Sequence, residues 1–168
     1  MSLAWREEAL TRKHHRQQFD CGAQELNDYL SKYARQRHEA GGAKTFVAVE
    51  PAQPEAILGY YIVFLASLEF ARTPASVSKG LGRYDVPIYL LGRLAVDTRW
   101  QRLGLGQELL TAAMIRCMRV SQEVGGVALL IDAKDDRAAQ WYARFGAVPT
   151  PDPPLTLVLP FATFATLR

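Results

Sequence analysis

Arg93-Leu94-Ala95-Val96-Asp97-Thr98-Arg99-Trp100-Gln101-Arg102-Leu103-Gly104-Leu105-Gly106 is the stretch that decides the fold. A strand runs into a short glycine loop, and the loop opens a helix. The first N–H groups of a helix have no partner inside it, and the helix dipole adds to their partial positive charge. A diphosphate fits such an end without any cation. Gly104 and Gly106 carry no Cβ, so the backbone can approach phosphate oxygens closely. The Walker pattern is excluded because no Gly-Lys-Ser/Thr follows, and the dinucleotide pattern fails because Leu109 stands where its third glycine belongs. Gln-x-x-Gly-x-Gly, from Gln101 to Gly106, remains. By itself it reads either as a phosphate cradle or as a tight strand-to-helix connection.

Periodicity on both sides supplies the architecture. After Gly104, Leu105, Leu109, Ala113 and Cys117 line one helical row and Leu110, Met114 and Met118 a second, until Gly125-Gly126 stops the helix. Val127 to Ile131 is a continuous apolar run, as for a strand covered on both faces. Asp135-Asp136 starts a further helix with Ala138, Trp141, Tyr142 and Phe145 on one side, and Leu155 to Leu159 makes a last strand. Upstream, Pro87 to Val96 is a strand, and residues 69–86 form a short helix or loop. The runs 45–49 and 57–64 suit a hairpin whose loop holds Pro51 and Pro54. Before them, Leu26, Leu30, Tyr33, Ala34 and Arg37 fall on one helical face, with Asp20 as the expected cap and Gly41-Gly42 as the stop. An edge strand is expected near the start. Early antiparallel pairing and late strand–helix–strand crossovers define an α+β fold, a mixed and mainly antiparallel sheet flanked by helices. No linker divides the chain, so residues 1–168 are read as a single domain.

Composition narrows the class. The chain has 168 residues, 49% apolar and 22% charged, which excludes disorder and collagen-like or coiled-coil chains. The opening Met-Ser-Leu-Ala-Trp-Arg-Glu-Glu meets charge too soon for a signal peptide. Its longest apolar run, Ala56 to Leu68, is 13 residues, whereas a membrane-spanning helix needs about 20. That run reads as buried strand, and a cytoplasmic protein with no membrane partner is expected. Cys21 and Cys117 form no metal-spaced or CxxC pair and read as buried or half-buried thiols. His14, His15 and His38 lie outside both motifs and read as solvated or structural.

A second segment gives the glycine loop its meaning. Asp132-Ala133-Lys134-Asp135-Asp136 leads into Gln140-Trp141-Tyr142-Ala143-Arg144-Phe145-Gly146. Together with Gln101 to Gly106 it resembles the GNAT superfamily of acetyl-coenzyme A-dependent N-acetyltransferases. The likeness extends to Phe19-Asp20-Cys21-Gly22 before Leu26-Asn27-Asp28-Tyr29-Leu30, to Leu91 through Asp97, and to Pro154-Leu155-Thr156-Leu157. These are similar to the toxin acetyltransferases of type II toxin–antitoxin pairs.

That resemblance implies a splay between the two central strands and acetyl-coenzyme A as co-substrate, with no metal. It places the pantetheine arm on the backbone of Leu94, Ala95 and Val96. The pyrophosphate falls on the loop of Gln101, Arg102, Leu103, Gly104, Leu105, Gly106 and Gln107. It assigns Tyr142 as general acid, a phenol that protonates the departing thiolate. The alternative for Tyr142 is an apolar-face aromatic, which is how Trp141 and Phe145 are read. The implied acceptor is the α-amine of an aminoacyl-tRNA, acetylated by direct transfer so that translation stops. The implied partners are a ribbon-helix-helix antitoxin and a second copy in a homodimer. Acetylation of a small amine or a protein N-terminus, and a catalytically silent coenzyme-binding module, are the alternatives.

No general base is assigned: Glu50, Glu55 and Glu69 have no distinguishing spacing. An α-amine has a pKa of roughly 7.7–8.0 against about 10.4 for lysine, so much of it is already neutral at cellular pH. The net charge of +3 has a location, since residues 72–102 hold six Lys and Arg against two Asp. Arg93, within the strand motif, and Arg83 are the candidates for substrate-side electrostatics. Reversing the charge of Arg93 or Arg83 is expected to weaken substrate binding more than reversing Arg6 or Arg168. Equal effects of all four in a binding titration would reduce the basic stretch to a solubility feature.

Overall fold

The computed structural model describes residues 4–150 and 155–167, so Pro154 of the quoted motif and Arg168 lie outside the described residues. Its strands are β1 (Arg6–Ala9), β2 (Lys44–Glu50), β3 (Gln53–Leu68), β4 (Val86–Val96), β5 (Ala128–Asp132), β6 (Val148–Pro149) and β7 (Thr156–Pro160). The helices are α1 (Gln24–Asp28), α2 (Ala34–Ala40), α3 (Ala75–Ser78), α4 (Leu105–Val124), α5 (Asp136–Ala143) and α6 (Phe161–Leu167), and a π-turn, Tyr29–Tyr33, joins α1 to α2. The strands form a seven-stranded mixed sheet in the order β1-β2-β3-β4-β5-β7-β6. The expected fold class is the observed one.

The chain divides into two compact units, Met1–Phe64 with Gly92–Ala113, and Leu65–Leu91 with Met114–Arg168. In the first, β1, β2 and β3 form an antiparallel meander with Arg6 opposite Val49 and Lys44 opposite Val63. Side chains alternate across β3, as the pleat requires. Tyr60 and Ile62 are fully buried against Tyr29, Leu30 and Ala34. Gly59 points the other way, toward Leu105 and Leu109 at the start of α4. Each large side chain so buried contributes roughly 1.5–3 kcal/mol.

In the second unit, β4 pairs in parallel with β5 through Tyr89, Leu90 and Leu91, and β5 pairs antiparallel with β7. Leu68, Val77, Val86, Ile88, Ala128, Leu130 and Val158 make its core. Among the described residues the β4–β5 register ends at Leu91, although β4 continues to Val96.

Several local expectations change. The hairpin loop is a turn at Pro51-Ala52, and β3 starts at Gln53 with Pro54 inside it. Register shifts at Ala48/Val49 and Val49/Glu50 absorb the extra residues, and Pro54, which has no N–H for a ladder, fits that irregular end. Asp20 is no helix cap: α1 begins after Ala23, with no side-chain cap. The Asp20 carboxylate instead accepts hydrogen bonds from the Gly22 N–H and the Asn27 side-chain amide, both at 2.9 Å. The apolar run to Leu68 is not buried throughout, since Leu65 is 75% exposed. A short strand at Val148–Pro149 and a helix at Phe161–Leu167 had no sequence expectation.

Gly59 has a packing reason. A Cβ there would sit 2.9 Å from the Ala95 carbonyl oxygen and 2.9 Å from Leu109 Cδ1. The first of these is backbone of β4 and cannot rotate aside. Gly59→Ala is therefore expected to destabilise the protein by about 1–3 kcal/mol, as overpacking does, read as a lower denaturant midpoint. An unchanged midpoint would mean that β4 shifts freely.

Candidate active site

The glycine loop is built on a buried carboxylate. Asp97, 1% exposed, follows β4 directly and caps the short 3-10 turn Thr98–Trp100. Its oxygens accept from the Arg99 N–H (3.0 Å), from Arg99 Nε (3.0 Å) and Nη2 (3.2 Å), and from the Asp20 N–H (3.1 Å). Burial alone would raise this carboxyl's pKa, but the Arg99 side chain and the two backbone N–H groups outweigh it and hold the pKa below the usual value. Thr98 N–H returns a bond to the Asp20 carbonyl at 2.8 Å. The Gln101 side-chain amide then donates to the Val96 carbonyl at 2.8 Å and the Cys21 carbonyl at 3.0 Å. The loop is thus sewn to the end of β4 and to the turn ahead of α1.

What this leaves outward is backbone. Gln101, Arg102, Leu103 and Gly104 are exposed, while Leu105 is buried and anchors the helix. Arg102 adopts φ +66° and Gly104 φ +87°. Left-handed geometry is unusual for a residue other than glycine, and such conformations cluster at ligand-binding turns. A Cβ on Gly104 would meet nothing within 4 Å, so its face is open. The first helical bond from this end is Glu108 N–H to the Gly104 carbonyl at 3.1 Å. The amides of Leu105, Gly106 and Gln107 precede it in the first turn of α4, where helix geometry supplies them no partner. A bound pyrophosphate requires this cradle, and the residues present fit it. Leu94 and Val96 are half-buried and Ala95 is buried, on the stretch of β4 beyond its last register pair with β5.

Tyr142 lies on α5, whose cap is as expected: the Asp135 carboxylate accepts from the Ala138 N–H at 2.8 Å. Its ring is 8% exposed and packs edge-on against Trp141, with centroids 4.9 Å apart. Burial pushes the Tyr142 phenol well above the ordinary tyrosine value. Trp141 and Phe145, read from sequence as the core aromatics, are only half-buried and pack on each other. On this short helix Tyr142 takes the inward position. Cys117 is buried and its thiol is pushed up to about 12 by burial, so it offers little thiolate.

Arg93 is half-buried with its guanidinium 4.2 Å from the centroid of the Tyr29 ring. Arg83 is exposed in the turn ahead of β4. Arg99, counted in the basic stretch, is tied to Asp97 and largely neutralised locally. Glu55 and Glu69 are exposed and Glu50 half-buried. His14 is buried, accepts from the Thr11 N–H at Nδ1 (3.0 Å) and meets Glu8 through Nε2 (2.9 Å), a structural pairing. No group of three potential metal ligands occurs among the described residues, and no described helix is long and apolar enough to cross a membrane. Sequence reasoning missed Asp97, Asp20 and Arg99 as the loop's supports. Their signal was an Asp-x-Arg step directly after a strand, inside a segment otherwise read for its positive charge.

A mixed sheet whose central strand leads through a glycine loop into a helix is the frame of a coenzyme A-dependent acyltransferase. An acetyltransferase (GNAT) domain model matches residues 41–146, and the chain belongs to that family as an N-acetyltransferase. Over 141 residues it is 36% identical to the tRNA-acetylating toxin of Mycobacterium tuberculosis, covering 84% of this chain and 82% of that one. Among solved structures, AtaT complexed with acetyl-methionyl-tRNAfMet superposes with a TM-score of 0.90 at 27% identity, covering 97% of this chain and 98% of that one. A Tyr-to-Phe variant of AtaT, bound to the C-terminus of the antitoxin AtaR and acetyl-CoA, gives 0.83 at 25% identity, with 97% of each chain covered.

The buried carboxylate provides a direct test. Asp97→Asn keeps the shape and removes the charge that four donors address. It is expected to cost about 1–3 kcal/mol of stability and to weaken acetyl-coenzyme A binding, read by denaturation and calorimetry. Because the folded pKa is depressed, this stabilisation is fully present above the unfolded value of about 3.9 and is lost as pH falls through the folded value. The variant should show a shallower loss of stability toward low pH; an identical acid profile would remove Asp97 from its supporting role.

Proposed function

We propose that the chain is a toxin that transfers the acetyl group of acetyl-coenzyme A to the α-amine of an aminoacyl-tRNA and so blocks translation. The observation that carries this reading is the 36% identity to the M. tuberculosis tRNA-acetylating toxin over 84% of the chain. AtaT with acetyl-methionyl-tRNAfMet, and AtaT with acetyl-CoA and the antitoxin fragment, support the same acceptor, donor and type of partner. We take the chain to act as one domain, as a cytoplasmic homodimer neutralised by a ribbon-helix-helix antitoxin. Strands β3 and β4 and helix α4 each run uninterrupted through both compact units, which favours one catalytic body.

The loop Gln101–Gln107 holds the pyrophosphate on backbone amides, and Leu94–Val96 offers strand backbone to the pantetheine arm, which adds like a strand. The neutral amine attacks the thioester carbonyl, the C–S bond breaks, and the thiolate takes a proton from the Tyr142 hydroxyl. The amine loses one proton as the amide forms, and that proton restores Tyr142. Burial keeps the phenol in its protonated, donor form at working pH. Arg93 and Arg83 act on the acceptor's phosphates. Neither cysteine enters: a thiol pushed up to about 12, as at Cys117, is a poor nucleophile at neutral pH.

Incubation with labelled acetyl-coenzyme A and total charged tRNA should label the aminoacyl-tRNA. Label reaching a polyamine or peptide but no tRNA would overturn the acceptor. Tyr142→Phe is expected to lower kcat about 10²–10⁴-fold while acetyl-coenzyme A still binds, and unchanged turnover would remove it as the acid. The pH profile carries a second expectation. Activity rises through roughly pH 7.7–8.0 as the α-amine loses its proton. With the phenol's pKa raised, no fall from Tyr142 ionisation should appear below about pH 10.

A further inference from the structure

Tyr29, Tyr33 and Arg37 follow one another at steps of four along the helical segment between Gln24 and Ala40, and Arg93 reaches the Tyr29 ring from β4. The π-turn starts at Tyr29, whose carbonyl accepts the Ala34 N–H, and such insertions in helices are frequent at functional sites. One ring holds two cations. The Arg93 guanidinium lies 4.2 Å and that of Arg37 5.9 Å from the Tyr29 centroid. Neither arginine makes an ion pair among the described residues. Arg37 is exposed and lies 6.0 Å from the Phe64 ring as well.

Two further groups point to a ligand. The Tyr29 hydroxyl is buried without a hydrogen-bond partner, on a residue only 4% exposed. Tyr33, its ring 6.4 Å from that of Tyr29, is 55% exposed. A large aromatic facing solvent beside two unpaired guanidinium groups is the combination that binds single-stranded nucleic acid, where a base stacks and its phosphate is neutralised. A purely structural cation–π pair would explain one arginine, but not a second cation on the same ring, an open aromatic neighbour and an unsatisfied hydroxyl.

We propose that Tyr33, Arg37, Arg93 and the Tyr29 hydroxyl form a platform for the single-stranded end of an RNA. Tyr33 stacks an unpaired base, the two guanidinium groups hold the adjoining phosphodiester, and the Tyr29 hydroxyl donates to the same strand. The inference rests on the aminoacyl-tRNA reading of the acceptor and adds to it: the protein grips the unpaired end directly, on the face of the first unit that carries α1 and α2.

The test is binding of a fluorescent four-nucleotide single-stranded RNA to the full-length protein, with no chemistry involved. Tyr33→Leu should weaken it about tenfold, within the range of base–aromatic stacking. Arg37→Gln should lower the slope of log affinity against log salt by about 0.7, the value for one phosphate contact on a single strand. Both side chains are exposed, so these variants should fold, and acetyl-coenzyme A affinity by calorimetry verifies that they do. Tyr29→Phe keeps the ring beneath both arginines and should still weaken RNA binding. RNA affinity unchanged in all three variants would overturn the platform, as would an acidic peptide of equal charge binding as well as the RNA. Transfer to charged tRNA is measured in parallel: its absence in the wild type defeats the acceptor reading, while transfer that persists undiminished in all three variants defeats the platform alone.

Discussion

A carboxylate that is 1% exposed must find donors or protonate, and Asp97 finds four, two of them main-chain N–H groups. One of these belongs to Asp20, 77 residues earlier in the chain, so satisfying one buried charge fixes the turn ahead of α1 against the end of β4. Thr98 and Gln101 extend the junction with bonds to the Asp20, Cys21 and Val96 carbonyls. An unpaired buried charge would cost several kcal/mol, so the donors that meet Asp97 hold the junction together. The loop's shape is imposed by side chains that turn inward, and its amides are left facing outward. Arg102, at φ +66°, lies within this loop.

The chemistry divides along the same line. In the proposed reading the coenzyme is met by backbone, at the loop and along Leu94–Val96, where the side chains are free to serve packing. Leu105 and Leu109 are buried under the β-sheet while their helix presents its amides, and Gly59 admits them by having no Cβ. Proton transfer is assigned to a phenol whose acidity is set by burial. In the proposed reading the acceptor is met by long, charged side chains.

Much of this was legible in the sequence because it follows from periodicity and from residue types with narrow uses. The rows of α4, the hairpin pairing of β2 with β3 and the Asp135 cap are local patterns, and the structure keeps them. The glycine loop was readable as a strand-to-helix step, but Gln101 was read as a motif letter. Its amide bonds to Cys21 and Val96 join positions whose separation no local pattern encodes. Asp20 has the residue type of a helix cap and lies four residues before α1, yet Gly22 and Asn27 claim its carboxylate. The π-turn was invisible because one inserted residue leaves the apolar spacing nearly intact. Trp141 and Phe145 were read as core from their place on the apolar face, though the short helix has one fully inward position and Tyr142 occupies it.

Charge shows best how structure revises a count. The stretch 72–102 is basic by composition, but Arg99 is tied to Asp97 there, whereas Arg37 lies outside that stretch altogether. In the sequence Arg37 already stood out of place, sharing a helical row with Leu26, Leu30, Tyr33 and Ala34. An arginine in an apolar row needs a surface that accepts both its flat face and its charge, and an aromatic ring is such a surface. The Tyr29 ring accepts Arg37 from its own helix and Arg93 from β4, bringing two like charges to one place. Like charges repel, and neither ring contact nor partial burial removes that repulsion. The arrangement becomes favourable when an anion lies across both, so a feature that weakly opposes folding of the free protein favours binding of a phosphodiester.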